Sequence, residues 1–329
     1  MRLKYSIYSL CLLIIVGFNL ESLNAQGFDW ARSFGGAGGN DQGSSIAVDA
    51  AGSVYTIGTF QSFADFDPSS STSILSAFGS SDIFLQKMDS LGNFLWAKSF
   101  GGQSFERGTD ILVDRFCNIY ITGNFSDSVD FDPGAGTQMR YSNGGFSDWD
   151  IFVLKLDSSG NFIWVKTFGS SSNDQGRSIT TDASGNVYTA GYFQGTIDFD
   201  PGPGTSLQSP AGQWDIFVHK MDSTGSFLWA KSIGGSGIDY SNSVSVDALG
   251  NVYTVGGFQD TVDFDPGVGT NIQYSLGSFD VFVQKLDSSG NFIWAKTIGS
   301  PGEEAAAGIV DDLGNVYTIG GFEDTVDFD

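Results

Sequence analysis

Internal repetition constrains this chain more than any other feature. A tryptophan followed by Ala or Val and then Lys or Arg recurs at Trp30, Trp96, Trp164, Trp229 and Trp294, at spacings of 66, 68, 65 and 65 residues. Between successive copies an Asp-x-Phe string begins at Asp82, Asp150, Asp215 and Asp280 ("DIFLQKMD", "DIFVLKLD", "DIFVHKMD", "DVFVQKLD"). A "VYT" or "IYI" string carries Tyr55, Tyr120, Tyr188, Tyr253 and Tyr317. A chain with this period builds one small supersecondary piece and stacks copies of it, each burying its neighbour's apolar face.

Within a copy the residues read as four short strands, which in the fourth copy are 243–247, 252–258, 280–286 and 292–298. Each run is rich in Val, Ile, Phe, Tyr and Trp and is bounded by Gly, Asp, Asn or Ser. No stretch keeps apolar residues at helical spacing without a glycine interrupting it. "DALGN" (Asp247 to Asn251) and "DSSGN" (Asp287 to Asn291) predict hairpin turns with glycine in the left-handed region. "DRFCN" departs from this by placing Cys117 where Gly52, Gly185, Gly250 and Gly314 stand elsewhere. Phe292 and Trp294 alternate with Ile293 and Ala295, so both faces of the sheet need cover.

Repeated four-stranded antiparallel sheets, each covered on both faces, predict an all-β fold, a β-propeller. The blade is about 65 residues long, against a common 40–45. The excess falls in the loop between strands two and three, which holds an Asp-Phe-Asp-Pro-Gly string. The consensus "DxxGNVYxxGxF…DFDPG…DxFVxKLDSSGNFxWAKxxG" resembles the bacterial seven-bladed β-propeller repeat family, SBBP. The similarity runs from Phe28 to Asp329 and implies a secreted or cell-surface propeller, with no catalytic residues to carry over. Residues 26–329 hold about four and a half blades, with repeats ending near residues 100, 168, 233 and 298 and a partial fifth after them. The ring is expected to be incomplete, as a piece of a longer chain, or else closed with five blades.

Residues 1–25 read as an export signal, with Arg2 and Lys4 before the apolar run Leu10 to Phe18 and Ala25 at the cleavage point. That run is shorter than the roughly 20 residues a spanning helix needs, and no membrane span is expected after its removal. Cleavage leaves 13 basic and 37 acidic residues, a net of -24. Such a chain repels nucleic-acid phosphates and anionic lipid, and attracts cations. Of Cys11 and Cys117 only the second survives cleavage, so no internal disulfide forms.

Strand alternation sends the loops between strands two and three, and the links between blades, to one face. That face is expected to be acidic. It collects the motif aspartates Asp65, Asp67, Asp130, Asp132, Asp198, Asp200, Asp263 and Asp265, and the acids after each link: Asp41, Glu106, Asp174, Asp239 and Glu303. Each Asp-Phe-Asp pair places two carboxylates on one side of an extended segment, part of the oxygen set calcium requires. The same string also reads as a well-made turn, with Asp before Pro opening it. Calcium is therefore the candidate cofactor.

The motif tryptophans are assigned to packing between blades. Trp149 and Trp214, which do not recur in every blade, are the candidate contacts for a glycan or protein ligand. His219, the single histidine, is expected at a surface strand position where Gln86, Leu154 and Gln284 stand elsewhere. Lys87, Lys155, Lys220 and Lys285 are expected to pair with repeated aspartates.

Two function classes fit. The first is a non-enzymatic surface scaffold or binding module for a protein, glycan or cation. The second is a propeller enzyme, such as a quinone-dependent oxidoreductase or a polysaccharide lyase or hydrolase. An enzyme needs non-repeated ionisable groups gathered at the ring centre, and the non-repeated set (Arg107, Arg140, Arg177, His219, Glu304, Glu323) is sparse.

Overall fold

Each repeat folds where its β-branched and aromatic residues alternate. The computed structural model describes residues 29–326 and 328, so the export-signal reading and Cys11 lie outside the described residues. Contacts separate residues 1–31 from residues 32–329, and the second body carries every strand. No helix occurs among the described residues, and none is long and apolar enough to cross a membrane.

The first repeat has strands Gln42–Val48, Val54–Phe60, Asp82–Met88 and Phe94–Gly102. The second has Glu106–Val113, Ile119–Phe125, Asp150–Leu156 and Phe162–Phe168. The third has Gln175–Thr181, Val187–Phe193, Asp215–Met221 and Phe227–Gly235, and the fourth Tyr240–Val246, Val252–Phe258, Asp280–Leu286 and Phe292–Ile298. Each forms an antiparallel sheet in chain order. The fifth repeat contributes Ala305–Val310 paired with Val316–Gly321. Among the described residues no strand pairing returns this fifth piece to the first repeat.

The turns follow from their sequence. In "DALGN" the Gly250 N–H donates to the Asp247 carbonyl at 2.9 Å, with Gly250 at φ 81°. Asp247 Oδ1 meanwhile accepts the N–H groups of Leu249 and Asn251 at 3.0 and 2.9 Å. Cys117 keeps the same turn at φ 60°, its N–H 2.9 Å from the Asp114 carbonyl. The side chain therefore bears the left-handed strain that glycine avoids elsewhere.

The core lies in the seams between consecutive blades. Ile57, Ile83 and Leu85 of the first repeat cluster with Ile111, Ile121 and Phe152 of the second. Equivalent clusters join the second to the third, the third to the fourth and the fourth to the fifth. The second strands of repeats two to four are buried along their whole length, as a sheet covered on both faces must be.

The long loop is more ordered than its sequence announces. It forms a short hairpin in every complete repeat: Phe63–Asp65 with Ile74–Ser76, Ser128–Asp130 with Met139–Tyr141, Ile197–Asp198 with Leu207–Gln208, and Thr261–Asp263 with Ile272–Tyr274. Two of these hairpins add to the fourth strand of the preceding blade, Gly101 and Gly102 pairing with Asp130 and Val129, and Gly234 and Gly235 with Asp263 and Val262. A Cβ on Gly102 would strike the Ser128 carbonyl, and one on Gly101 the Asp82 carboxylate. The paired glycines exist for this close approach.

Candidate ligand-binding site

The inner strand of each complete blade carries a β-bulge. Register shifts fall between Gly43 and Ser45, Gly108 and Asp110, Gly176 and Ser178, and Ser241 and Ser243. The extra residue is Ser44, Thr109, Arg177 or Asn242, and the fifth repeat has Ala307 at the matching place. A bulge re-aims the side chain it inserts. Here all five residues line one cavity of about 510 Å³ along the inner strands. The residue at this position differs from blade to blade, where the blades converge.

Arg177 is the cationic group of this cavity. Its Nη1 donates to Asn242 Oδ1 at 2.6 Å, and its Cζ lies 5.0 Å from the ring centroids of both Tyr192 and Tyr240. Tyr192 stacks on Trp214 at 4.4 Å and 6°, and Tyr240 packs on Phe279 at 5.5 Å. The column Trp214, Tyr192, Arg177, Tyr240, Phe279 thus spans two blades and fixes the guanidinium. Among the described residues the ion pairs are Lys87–Asp49 and Lys285–Asp247, so Arg177 has no carboxylate partner.

Asp110 lies in the same cavity and is fully engaged. It accepts Ser45 Oγ at 2.8 Å, Ser178 Oγ at 3.0 Å and the Ile179 N–H at 2.9 Å. Burial pushes its carboxyl up, against the pull of these donors. Thr109 Oγ1 donates to the Gly176 carbonyl at 2.7 Å, and Asn242 Nδ2 to the Ala306 carbonyl at 3.0 Å. This polar belt sews each inner strand to the next and leaves Arg177 as the uncompensated charge. Sequence reasoning missed Asp110 and Asn242. Asn242 stands at the bulge position, which differs in every repeat, and Asp110 one residue further on, where Ser45, Ser178 and Ser243 stand elsewhere.

The Asp-Phe-Asp strings form turns anchored by their phenylalanine. Phe66, Phe131, Phe199 and Phe264 are fully buried. Asp263 Oδ1 accepts the N–H groups of Asp265 at 3.1 Å and Asn271 at 2.7 Å, and Asp265 Oδ1 accepts the Gly267 N–H at 2.8 Å. Asp130 with Asp132, and Asp198 with Asp200, repeat all three bonds. Asp65 and Asp67 do the same, with Ser69 in place of the glycine. Asp130 and Asp132 share an open cavity of about 470 Å³ with Asp82. Among the described residues no three His, Cys, Asp or Glu side chains gather as a metal cluster.

Several expectations need correction. His219 is fully buried rather than on the surface, because its ring packs 4.7 Å from Phe168 and 5.6 Å from Phe227. Burial pushes it down to about 4. The acids after the links are mostly not a solvated face: Glu106, Asp174 and Asp239 are buried, and the fifth position belongs to Glu304, also buried, rather than Glu303. Each caps the preceding strand end, as where Asp174 holds the N–H groups of Ser170 at 2.5 Å and Gln194 at 2.9 Å. Asp41 alone of this series is exposed. Each cap lies beside the buried Asp of an Asp-x-Phe string, and burial is the main cause that raises Glu106 to about 8, Asp150 to about 7, Asp174 to about 6 and Asp239 to about 7.

Of the repeated lysines, Lys87 and Lys285 reach Asp49 and Asp247 at 3.6 and 3.5 Å. Lys155 and Lys220 instead donate to the Ser223 and Ser288 carbonyls of the next blade's turn, at 3.1 and 2.9 Å. Trp164 and Trp229 are half-buried at the rim and donate to those same two carbonyls. Trp214 lies in the aromatic column, whereas the Trp149 backbone N–H donates to Asn173 Oδ1 at 3.2 Å.

The family described as SBBP, beta-propeller repeat, matches residues 29–59 and 163–192. An uncharacterized WD repeat-containing protein of Acanthamoeba polyphaga mimivirus is 25% identical over 231 residues, covering 63% of this chain and 17% of that protein. The regulatory protein FlaEY of Caulobacter vibrioides is 23% identical over 147 residues, covering 45% of this chain and 15% of its own. The chain thus spans less than a fifth of the length of these curated relatives. With its blades and seams, and with two segments at matching places in their repeats similar to the SBBP beta-propeller repeat, the chain is an all-β protein built of β-propeller-type repeats.

Proposed function

We propose that this chain is a secreted or cell-surface binding module that takes a polar ligand, on a protein or a glycan, into the cavity between its inner strands. One observation carries the reading: the bulge residues Ser44, Thr109, Arg177 and Asn242 differ from blade to blade, and all of them line the same cavity. The repeated Asp-x-Phe, Tyr and Trp strings maintain the stack, while the differing bulge residues give the channel an individual surface. The pattern in residues 1–25 supports export, and the relative described as a regulatory protein fits a role in recognition. Catalysis is disfavoured because Asp110, the carboxylate of the cavity, is consumed by three donors and leaves no base facing Arg177.

The test has two arms. Fractionation of cells producing the full chain should place it outside the cytoplasm, and retention inside would overturn the export reading. Binding of the wild-type chain to glycan and peptide arrays should give signals that Arg177→Gln loses. Identical profiles for the two would overturn the channel as the binding site.

A further inference from the structure

Arg177 presents a problem of charge. The chain holds 38 acidic residues against 15 basic ones, yet this partly buried guanidinium forms no ion pair among the described residues. Asn242 takes one of its N–H groups and two tyrosine rings sandwich it. A half-desolvated charge without a counter-charge is costly, and the arrangement that holds it also keeps it from swinging to a surface acid. Asp110 offers no relief, since both its oxygens are committed to the neighbouring strands.

The walls narrow the class of anion. Ser44 lines the cavity and its buried Oγ has no hydrogen-bond partner. Thr109, Ser178 and Ser243 add hydroxyls, while Tyr317 and Ile319, both exposed, add a flat apolar side. Hydroxyl-rich and apolar walls together match the two faces of a sugar ring. The volume of about 510 Å³ lies within the range for small-molecule sites. One cation in a chain of net charge -23 suits a single carboxylate, since a polyanion would meet long-range repulsion.

We propose that the cavity binds a carboxylated sugar, a hexuronate unit whose carboxylate pairs with Arg177 and whose hydroxyls meet the serine and threonine wall. The proposal rests on the channel reading above and names its ligand class. The guanidinium is held in place before the ligand arrives, so little ordering is needed on binding.

The test is a calorimetric titration of the full chain with a uronate disaccharide, its methyl ester, and an N-acetyl dipeptide bearing one free carboxylate. Saturable binding of the uronate is expected, with the ester and the dipeptide each weaker by about tenfold or more. Arg177→Gln should weaken the uronate by a similar factor. So should Asn242→Asp, which supplies the guanidinium with an internal carboxylate and leaves the cavity nearly unchanged in volume. Thermal melts of both variants, matched to the wild type, confirm folding. No saturation up to roughly 10 mM uronate, an ester as tight as the acid, a dipeptide as tight as the sugar, or folded variants that bind like the wild type would each overturn the proposal. Array signals lost in Arg177→Gln but carried by other ligands would sink the sugar and leave the channel standing.

Discussion

His219 Nε2 lies 2.9 Å from the carbonyl oxygen of Phe199, the buried phenylalanine of the third Asp-Phe-Asp loop. Gln86 and Gln284 make the same contact to Phe66 at 2.5 Å and Phe264 at 2.6 Å. The single histidine is therefore a loop anchor that stands in for glutamine. Its Nδ1 is buried with no hydrogen-bond partner, so the ring is held neutral.

The pH dependence follows from that burial. The folded-state value, about 4, is below the ordinary histidine value of 6.5, so the unfolded chain binds the proton more readily. The contribution of His219 is fully present above pH 6.5 and is lost as pH falls towards 4, by on the order of 2–4 kcal/mol. His219→Gln should preserve the anchor and remove this loss. Urea unfolding at pH 7 and pH 4.5 should show the variant gaining on the wild type at the lower pH. A constant difference between them would contradict the assignment.

The buried carboxylates act with the opposite sign. Glu106 is raised to about 8 and accepts the Gly102 N–H at 3.0 Å, while its Oε1 has no partner. A raised carboxylate favours the folded state at low pH, and its contribution is lost as pH rises through the folded value. Glu106→Gln keeps an acceptor for Gly102 without the charge. Its melting advantage over the wild type should be largest at pH 8.5 and shrink as pH falls towards the ordinary carboxylate value of 4.5. A variant whose melting advantage does not grow between pH 4.5 and pH 8.5 would contradict the assignment.

Core and rim should separate in a mutational series. Phe199 is fully buried, so Phe199→Ala should cost about 3–5 kcal/mol. Trp229 is half-buried and holds one hydrogen bond to the Ser288 carbonyl at 3.2 Å, so Trp229→Ala should cost about 2–3 kcal/mol. Trp214→Ala removes a stacked pair with Tyr192 and should cost about 1 kcal/mol. Denaturant unfolding that ranks these three in another order would contradict the seam packing.

Calcium tests the Asp-Phe-Asp loops. Asp263 and Asp265 already spend one oxygen each on backbone donors, and an asparagine at either place keeps that acceptor. Asp263→Asn/Asp265→Asn should therefore fold with a loss under about 1 kcal/mol. The wild-type melting midpoint should be the same in millimolar calcium as in sodium at matched ionic strength. A calcium-specific rise that the double variant loses would restore these aspartates as cation ligands.

The blade was legible because its strands and turns are local. "DxxGN" fixes a hairpin through one aspartate and one left-handed residue, and the pairing of Phe258 with Asp280 recurs wherever the Asp-x-Phe string does. The short hairpin within the long loop was not legible. Its strands are two or three residues long, and they are held by a neighbouring blade and by a buried phenylalanine rather than by a pattern of their own. The burial of His219 was hidden for a similar reason, since Phe168, Phe199 and Phe227, the rings around it, come from three separate elements. The channel escaped notice because a bulge is a register event. Arg177 reads as a strand residue until the shift between Gly176 and Ser178 turns it inward.

On the function proposed above, repeated residues build the stack and the bulge residues do the recognising. The fifth repeat already carries alanine there, at Ala307. The direct measurement is the dissociation constant of the wild-type chain and of Ser44→Ala/Thr109→Ala/Arg177→Ala/Asn242→Ala for the ligand that binds it best. The account predicts a variant that still unfolds cooperatively, at a melting temperature lowered by the lost Thr109, Arg177 and Asn242 hydrogen bonds, and that loses binding by about tenfold or more. A folded variant that binds as tightly as the wild type would contradict it.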